Sequence, residues 1–344
     1  VQSGQFEFIW EKPGRGDGYE WAGPPSSRSR MLLTQRKGVV FVQYAPLREA
    51  TGLFRDFADA EPTPEGVLKF ANGYGCLGVP DDPVGPQSGW ESLYSWRLRI
   101  LMMRGLIMLW EALRDGSVDQ LRRLIRWDGN DAVRFIPPPE LASYYAEMEE
   151  PLERHIPAER RNVAYWDLPP DLLYFGEVGS PWDGCQLIAS RTRNPNLLAQ
   201  FIPGDPVGPA RAHLLGIVND CIARGKVQPR LHWSDREKRL VYQALPETLF
   251  GAMYLQLLLA IDGDRQYKRC RVCGRSYEVA GGRNKGISRR DRETCSNACR
   301  IRAYRERQEK ARLLHAQGKS AKEIARELGT DSKTIREWIA RRKG

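Results

Sequence analysis

Enzyme signatures are missing from the first 264 residues of this 344-residue chain. There is no Gly-rich phosphate loop, no GxSxG nucleophile elbow and no HExxH pair. Histidine is scarce: His155, His213, His232 and His315 are the only four, and they stand isolated in sequence. A lone histidine is more often a surface or satisfied core residue than a catalyst. Neighbouring carboxylates such as Glu149 and Glu150 fall on what reads as an exposed helix end, and spacing alone does not make them a general acid and base. An enzyme with an unrecognised active site in residues 1–264 stays open only as a second alternative.

Long hydrophobic runs are lacking too. The most apolar stretch, Leu93 to Leu113, contains Arg97, Arg99 and Arg104, and three arginines at that depth are too costly for a spanning helix. No N-terminal segment resembles a signal peptide. The expectation is a cytoplasmic protein with no membrane partner. Internal repeats and low-complexity tracts are absent. Cysteine is sparse, at seven residues. Cys76, Cys185 and Cys221 are scattered and read as buried, inert thiols.

The other four cysteines are clustered. Cys270, Cys273, Cys295 and Cys299 are spaced C-x2-C-x21-C-x3-C. In a cytosolic protein a CxxC pair is more often metal-binding or redox-active than a structural disulfide. Zinc takes four ligands at tetrahedral corners and thiolates suit it; one close pair spans one edge and a second pair supplies the other. Gly274 follows Cys273, where positive φ lets backbone N–H groups point at sulfur. Cys295 and Cys299, at i and i+4, are expected on one face of a helix capped by Thr294 or Ser296. Together this is a treble-clef-like layout of knuckle, hairpin and helix, holding one structural zinc ion.

Charge is unevenly placed. Residues 265–344 hold 24 Lys+Arg and 9 Asp+Glu; residues 1–264 hold 29 and 34. A strongly basic tail on a slightly acidic body is the footprint of polyanion binding. The tail ends in a helix-turn-helix pattern. Arg305 to Gln317 reads as a helix ended by Gly318. Ser320 and Glu323 form a capping box for a helix over Ala321–Leu328. Gly329 takes the turn, and Asp331 caps a third helix over Ser332–Arg342. Ala325, Ile335, Leu313, Leu314, Ile324, Leu328, Trp338 and Ile339 are its expected core. The third helix of such a motif enters the major groove. Its outward residues, Ser332, Lys333, Arg336 and Glu337, are the candidate base contacts. Lys319, Lys322, Arg326, Arg341, Arg342 and Lys343 are the candidate phosphate contacts. A helical hairpin for protein contacts is the blander reading; the charge favours DNA, with RNA as an alternative.

Upstream, strands are expected over 5–10 and Val39–Tyr44, with a Gly/Pro/Ser-rich loop over 11–30 between them. Helices are expected over Leu53–Ala60, Pro64–Tyr74 (Thr63 cap, Pro64 at N1), Ser88–Asp115, Val118–Trp127, Glu140–Glu150, Ala210–Arg224 and Pro246–Ile261. Pro80–Gln87 reads as a loop and 160–207 as strands and loops. Pro229–Trp233 and Arg239–Gln243 read as a hairpin.

The run Cys270-Arg-Val-Cys273-Gly274, Tyr277, Cys295-Ser-Asn-Ala-Cys299-Arg300 and Tyr304-Arg305-Glu306-Arg307 resembles the bacterial CGNR-type zinc fingers. The helix, hairpin and apolar helix before it extend the resemblance over residues 210–310, although the Cys-Gly-Asn-Arg tetrapeptide itself is absent. That resemblance implies a stress-linked transcriptional regulator. The C-terminal pattern is similar to the helix-turn-helix of resolvases and simple bacterial repressors. Phe70-Ala-Asn-Gly-Tyr-Gly75 with Leu77-Gly78 resembles a stretch in uncharacterised bacterial proteins carrying the same finger, and implies no function.

The expected architecture is an α/β, mostly helical body over 1–264 for sensing or partner docking. A zinc finger over 265–304 and a three-helix helix-turn-helix over 305–344 follow. The expected function is DNA binding, as a nucleoid-associated bacterial transcription regulator. The alternative is a nucleic-acid-binding subunit of a phage-defence or mobile-element complex; on either reading the partners are a second copy in a homodimer or a larger protein complex.

Overall fold

A computed structural model of the chain describes residues 7–22, 32–79, 91–136, 186–234, 238–279 and 292–340. The expected helix over 140–150, the loop over 80–87, residues 160–185 with Cys185, His155, and the phosphate candidates Arg341, Arg342 and Lys343 lie outside the described residues. The chain divides into two compact units, Val1–Asp262 and Gly263–Gly344.

The first unit carries strands β1 (Trp10–Pro13), β2 (Tyr19–Ala22), β3 (Leu32–Gln35) and β4 (Phe41–Tyr44). Helices α1 (Pro46–Glu49), α2 (Leu53–Ala58) and α3 (Pro64–Tyr74) follow. Next come β5 (Glu91–Ser92), α4 (Leu93–Arg114), α5 (Val118–Leu124), β6 (Ile125–Asp128), β7 (Ala132–Phe135) and β8 (Gln186–Ser190). The unit closes with α6 (Pro195–Leu198), α7 (Val207–Arg224), β9 (Gln228–Ser234), β10 (Arg239–Leu245) and α8 (Leu249–Asp262). β1 pairs with β4, β9 with β10, and β2-β3-β5 and β6-β7-β8 form small antiparallel sheets.

The core lies where α2, α4, α7 and α8 meet. α4 starts where the Ser92 hydroxyl accepts the Ser95 N–H, and Trp96, Ile100, Met103 and Leu109 along it are fully buried. Phe57, Phe70 and Trp96 pack as a ring cluster with centroids 5.1–6.0 Å apart. The arginines that exclude a membrane span serve as clamps instead. Arg97 Nε donates to Pro62 O, Arg99 to Val79 O, and Arg104 to Ala58 O and Ala60 O. Among the described residues no helix is long and apolar enough to cross a membrane.

α8 is buried along nearly its whole length, as expected of a helix that is apolar all round. Its approach to α7 depends on two glycines. A Cβ on Gly251 would meet Gly225 O at 2.4 Å, and one on Gly225 would meet Gly251 Cα at 2.3 Å. The Gln256 amide in α8's buried stretch is satisfied: it accepts from Phe54 N and donates to Pro46 O and Ala50 O.

The conspicuous Phe70–Gly78 stretch has a structural explanation. Asn72 Oδ1 accepts the backbone N–H groups of Gly18 and Tyr19 at 2.8 and 3.1 Å. The buried Glu91 carboxylate accepts those of Leu77, Gly78 and Val79. Gly75, at φ 99°, leaves room for the Trp10 indole. This stretch ties the β-ribbons of the N-terminal third to the helical core. Burial pushes the Cys76 and Cys221 thiols up to about 12, so both are poor nucleophiles; Cys221 is buried and Cys76 half-buried.

Several expectations need correction. Among the described residues the first strand is Trp10–Pro13, residues 7–9 of the expected 5–10 strand are not in it while 5 and 6 lie outside the described residues, and the expected loop over 11–30 contains β2. β3 and β7 carry sequence signals too short to separate from loop. The expected helix over 118–127 stops at Leu124, and Ile125–Asp128 become β6; β7 offers backbone partners there that outcompete another helical turn.

The second unit contains β11 (Gln266–Arg269), β12 (Ser276–Val279), α9 (Asn297–Ala316), α10 (Ala321–Leu328) and α11 (Ser332–Ala340). β11 and β12 form an antiparallel hairpin. The three helices pack together around a small core of Ala311, Leu314, Ile324, Ala325, Ile335 and Trp338. Leu328 and Ile339 join it partly buried. Leu313 does not: it is 62% exposed, because its neighbours Leu314 and Ala311 already occupy the inward stripe of α9.

Candidate metal centre and nucleic-acid interface

The knuckle is the turn of the β11–β12 hairpin. Cys270 N donates to Arg275 O at 2.9 Å and Gly274 N to Cys270 O at 2.8 Å. Gly274 takes φ 73°, a conformation open to glycine at no steric cost. The second cysteine pair comes from the start of α9. The Ser296 hydroxyl accepts the Cys299 N–H at 3.2 Å and caps the helix. Cys295 therefore precedes the helix rather than lying on one of its faces with Cys299. The cap turns the chain so that both sulfurs still converge.

All four Sγ atoms lie within 4.8 Å of one another. Cys273 and Cys295 sulfurs are 3.5 Å apart, and Cys295 and Cys299 sulfurs 3.6 Å apart. Four thiolates at the Zn–S bond length of ~2.3 Å would be separated by ~3.8 Å along a tetrahedron edge. The spacing therefore fits a closed four-sulfur site, and the cluster could hold a metal ion such as zinc. Burial pushes the Cys270 thiol up, but backbone N–H groups of Cys273, Cys295 and Val272 outweigh it and bring the thiol down to about 6. Cys295 is pushed the other way, by burial and by its crowding against the other sulfurs. Four sulfurs this close cannot all ionise without a cation between them.

The loop before α9 is stitched to the knuckle by contacts that sequence reasoning missed. Arg271 N donates to Glu293 O at 3.1 Å, and the Arg271 and Glu293 side chains pair. Tyr277 OH donates to Arg292 O, and the Arg292 guanidinium donates to Thr294 O and Cys295 O. The Arg292 guanidinium also stands 5.5 Å from the Tyr277 ring centroid. The Tyr at 277 is visible in the sequence, but its partner is not.

α9 continues without a break from the cysteine cluster into the helix-turn-helix. Gly318, at φ 88°, ends the turn after it. The capping box is present in full: Ser320 Oγ accepts the Glu323 N–H, and Glu323 Oε2 accepts the Ser320 N–H at 2.8 Å. Gly329 ends α10 at φ 61°. Asp331 caps α11 by accepting the Thr334 N–H at 2.8 Å and the Thr334 hydroxyl at 2.6 Å. Two further residues fix α11. Tyr304 accepts the Trp338 indole N–H at 2.9 Å and meets its ring edge-on at 5.4 Å. Arg312 Nε donates to Trp338 O at 3.1 Å.

Lys333, Arg336 and Glu337 are exposed on α11, and Ser332 is half-buried at its start. Lys322 and Arg326 are exposed on α10. Lys319 is half-buried and holds Glu327 at 2.7 Å, an acceptor that Lys310 approaches at 3.5 Å.

Residues 306–343 match the family described as putative ATPase subunit of terminase (gpP-like). The match begins inside α9 and covers the helix-turn-helix, leaving the cysteine cluster and the first unit outside it. No curated protein matches the chain, and no solved structure does.

Proposed function

We propose that this chain is a DNA-binding protein whose second unit uses a four-thiolate zinc centre to hold a helix-turn-helix. The carrying observation is the capped, packed helical triad over the segment similar to the gpP-like terminase family. Zinc, when bound, supplies folding free energy on the order of 10 kcal/mol. Cys270, Cys273, Cys295 and Cys299 would hold it; the rest of the work belongs to the helices. Ile335 and Trp338 anchor α11 inward and leave Lys333, Arg336 and Glu337 facing out. Lys333 and Arg336, one helical turn apart, have the donors that guanine edges accept. Lys322 and Arg326, with Lys319, Arg341, Arg342 and Lys343, would grip phosphates and set the register without reading sequence.

The family match favours a recognition subunit of a phage-type DNA-processing assembly over a free-standing transcription regulator. The first unit would then dock on other components. ATP hydrolysis is not part of the proposal, because the match is confined to the helix-turn-helix and residues 1–264 carry no Gly-rich phosphate loop.

Selection of bound fragments from random DNA, followed by titration across salt, tests the reading. Affinity should fall steeply with salt, with a log–log slope of several phosphate contacts. Arg336→Ala should relax preference at one base position by about 1–3 kcal/mol, while Arg326→Ala should weaken all sequences equally. Salt-insensitive binding would sink the proposal. A single, strongly preferred palindrome bound without partner proteins would restore the regulator reading.

A further inference from the structure

The β9–β10 hairpin of the first unit presents an exposed apolar face. Leu231 pairs with Tyr242 and Trp233 with Leu240 across the ladder. Residues two apart on a strand share a face, so these four side chains stand together. They are 71%, 70%, 57% and 61% exposed, respectively. The ladder's next pair on that face is Pro229 with Ala244, so the face carries no charge along its length. Arg230 and Arg239 fall on the alternate positions, which belong to the other face.

From this geometry we propose that the hairpin face is the interface with a second copy of this chain. Three observations select that occupant. The first is area. At ~150–250 Å² for a large aromatic side chain, these exposures leave on the order of 500 Å² of apolar surface per copy. That is as large as the biggest patch on a typical monomer, roughly 300–600 Å². Two copies would bury up to about 1,000 Å², the minimum for a specific interface with good complementarity and the size of a weak, reversible pairing. The second is the arrangement. The two aromatic residues occupy one diagonal of the patch and the two leucines the other. A two-fold axis between two such faces, along or across the strands, sets every ring over a leucine of the other copy. The patch is therefore self-complementary, as a two-fold interface must be. The third is charge. A face without charge fits another such face, whereas a nucleic acid strand or an acidic peptide would seek the arginines on the opposite side. The pairing is independent of the DNA-binding proposal, although a dimer would suit a helix-turn-helix that reads two half-sites.

Sedimentation of the full-length, zinc-supplemented protein between about 1 and 50 µM tests this. A monomer–dimer equilibrium is expected, weakening at least tenfold in Leu231→Ser and abolished in Trp233→Glu/Leu240→Glu. Arg230→Glu, on the other face, should leave it unchanged. Because all four side chains are exposed, the variants should keep the wild-type circular dichroism and melting temperature. A misfolded double variant leaves Leu231→Ser and Arg230→Glu to decide. A wild-type protein monomeric at 50 µM overturns the proposal, as does a dimer untouched by the double substitution. A monomer whose binding to single-stranded oligonucleotide is lost in the double variant would assign the face to nucleic acid, and equally overturns it.

Discussion

His213 shows how one side chain ties the stability of the first unit to pH. It lies in α7, stacked on Phe135 with ring centroids 4.9 Å apart. Burial lowers its pKa from 6.5 to about 3. The folded state therefore keeps the imidazole neutral where the unfolded chain would protonate it. A histidine depressed in this way contributes stability that is present above pH 6.5 and lost as pH falls toward 3. Between pH 7 and pH 5 the loss from this group alone is about 2 kcal/mol. Urea titrations at the two pH values should show it. In His213→Phe, which keeps a ring against Phe135, the difference between the two values should shrink by about that amount. An unchanged pH dependence would place the titration elsewhere.

Two contacts govern how elements meet. The Gly225–Gly251 approach joins α7 to α8 backbone to backbone. Gly251→Ala pushes a Cβ against a carbonyl that cannot swing aside. It should cost about 1–3 kcal/mol or more, as overpacking does, seen as a lower urea midpoint. Gly216→Ala in α7, where nothing lies within 4 Å, should instead be neutral or slightly stabilising. In the second unit the contact is Tyr304 with Trp338. Tyr304 stands five residues after Cys299 on the same helix, so it carries the orientation of the cysteine-cluster end of α9 to α11. Tyr304→Phe removes the hydrogen bond and keeps the ring contact. It should cost about 1 kcal/mol and shift the Trp338 signal in fluorine NMR of fluorotryptophan-labelled protein. Trp338→Ala removes the largest side chain of a very small core and should cost about 3–5 kcal/mol, enough to unfold the helix-turn-helix.

For the whole molecule the division at residues 262 and 263 makes a calorimetric prediction. The first unit has an extended apolar core, whereas among the described residues the second has two small clusters, one around the cysteines and one among the three helices. A unit that size would lean on a metal held by the four cysteines, as proposed above. Chelation should abolish or sharply lower one melting transition and leave the other in place. Cys273→Ser should do the same without chelator. A single transition that ignores both treatments would show that the cysteine cluster is not a folding element.

The sequence by itself determined the features that rest on local chemistry. The four cysteines, the glycine after Cys273, the Ser320–Glu323 box and the glycine at 329 each act within a few residues, so spacing was enough to read them. The same holds for α3 with its Thr63 cap and for the β9–β10 hairpin. Only the tertiary structure decided what depends on distant partners. β6 replaces the end of a helix because β7 lies beside it, and β2 and β3 exist because they pair with each other and, for β3, with β5. Leu313 is exposed because Leu314 and Ala311 take the inward stripe. Cys295 leaves the helix because Ser296, not Thr294, caps it. The Tyr304–Trp338 and Tyr277–Arg292 contacts join residues 34 and 15 positions apart. No periodicity encodes those distances, since they are set by where folded elements come to rest against one another.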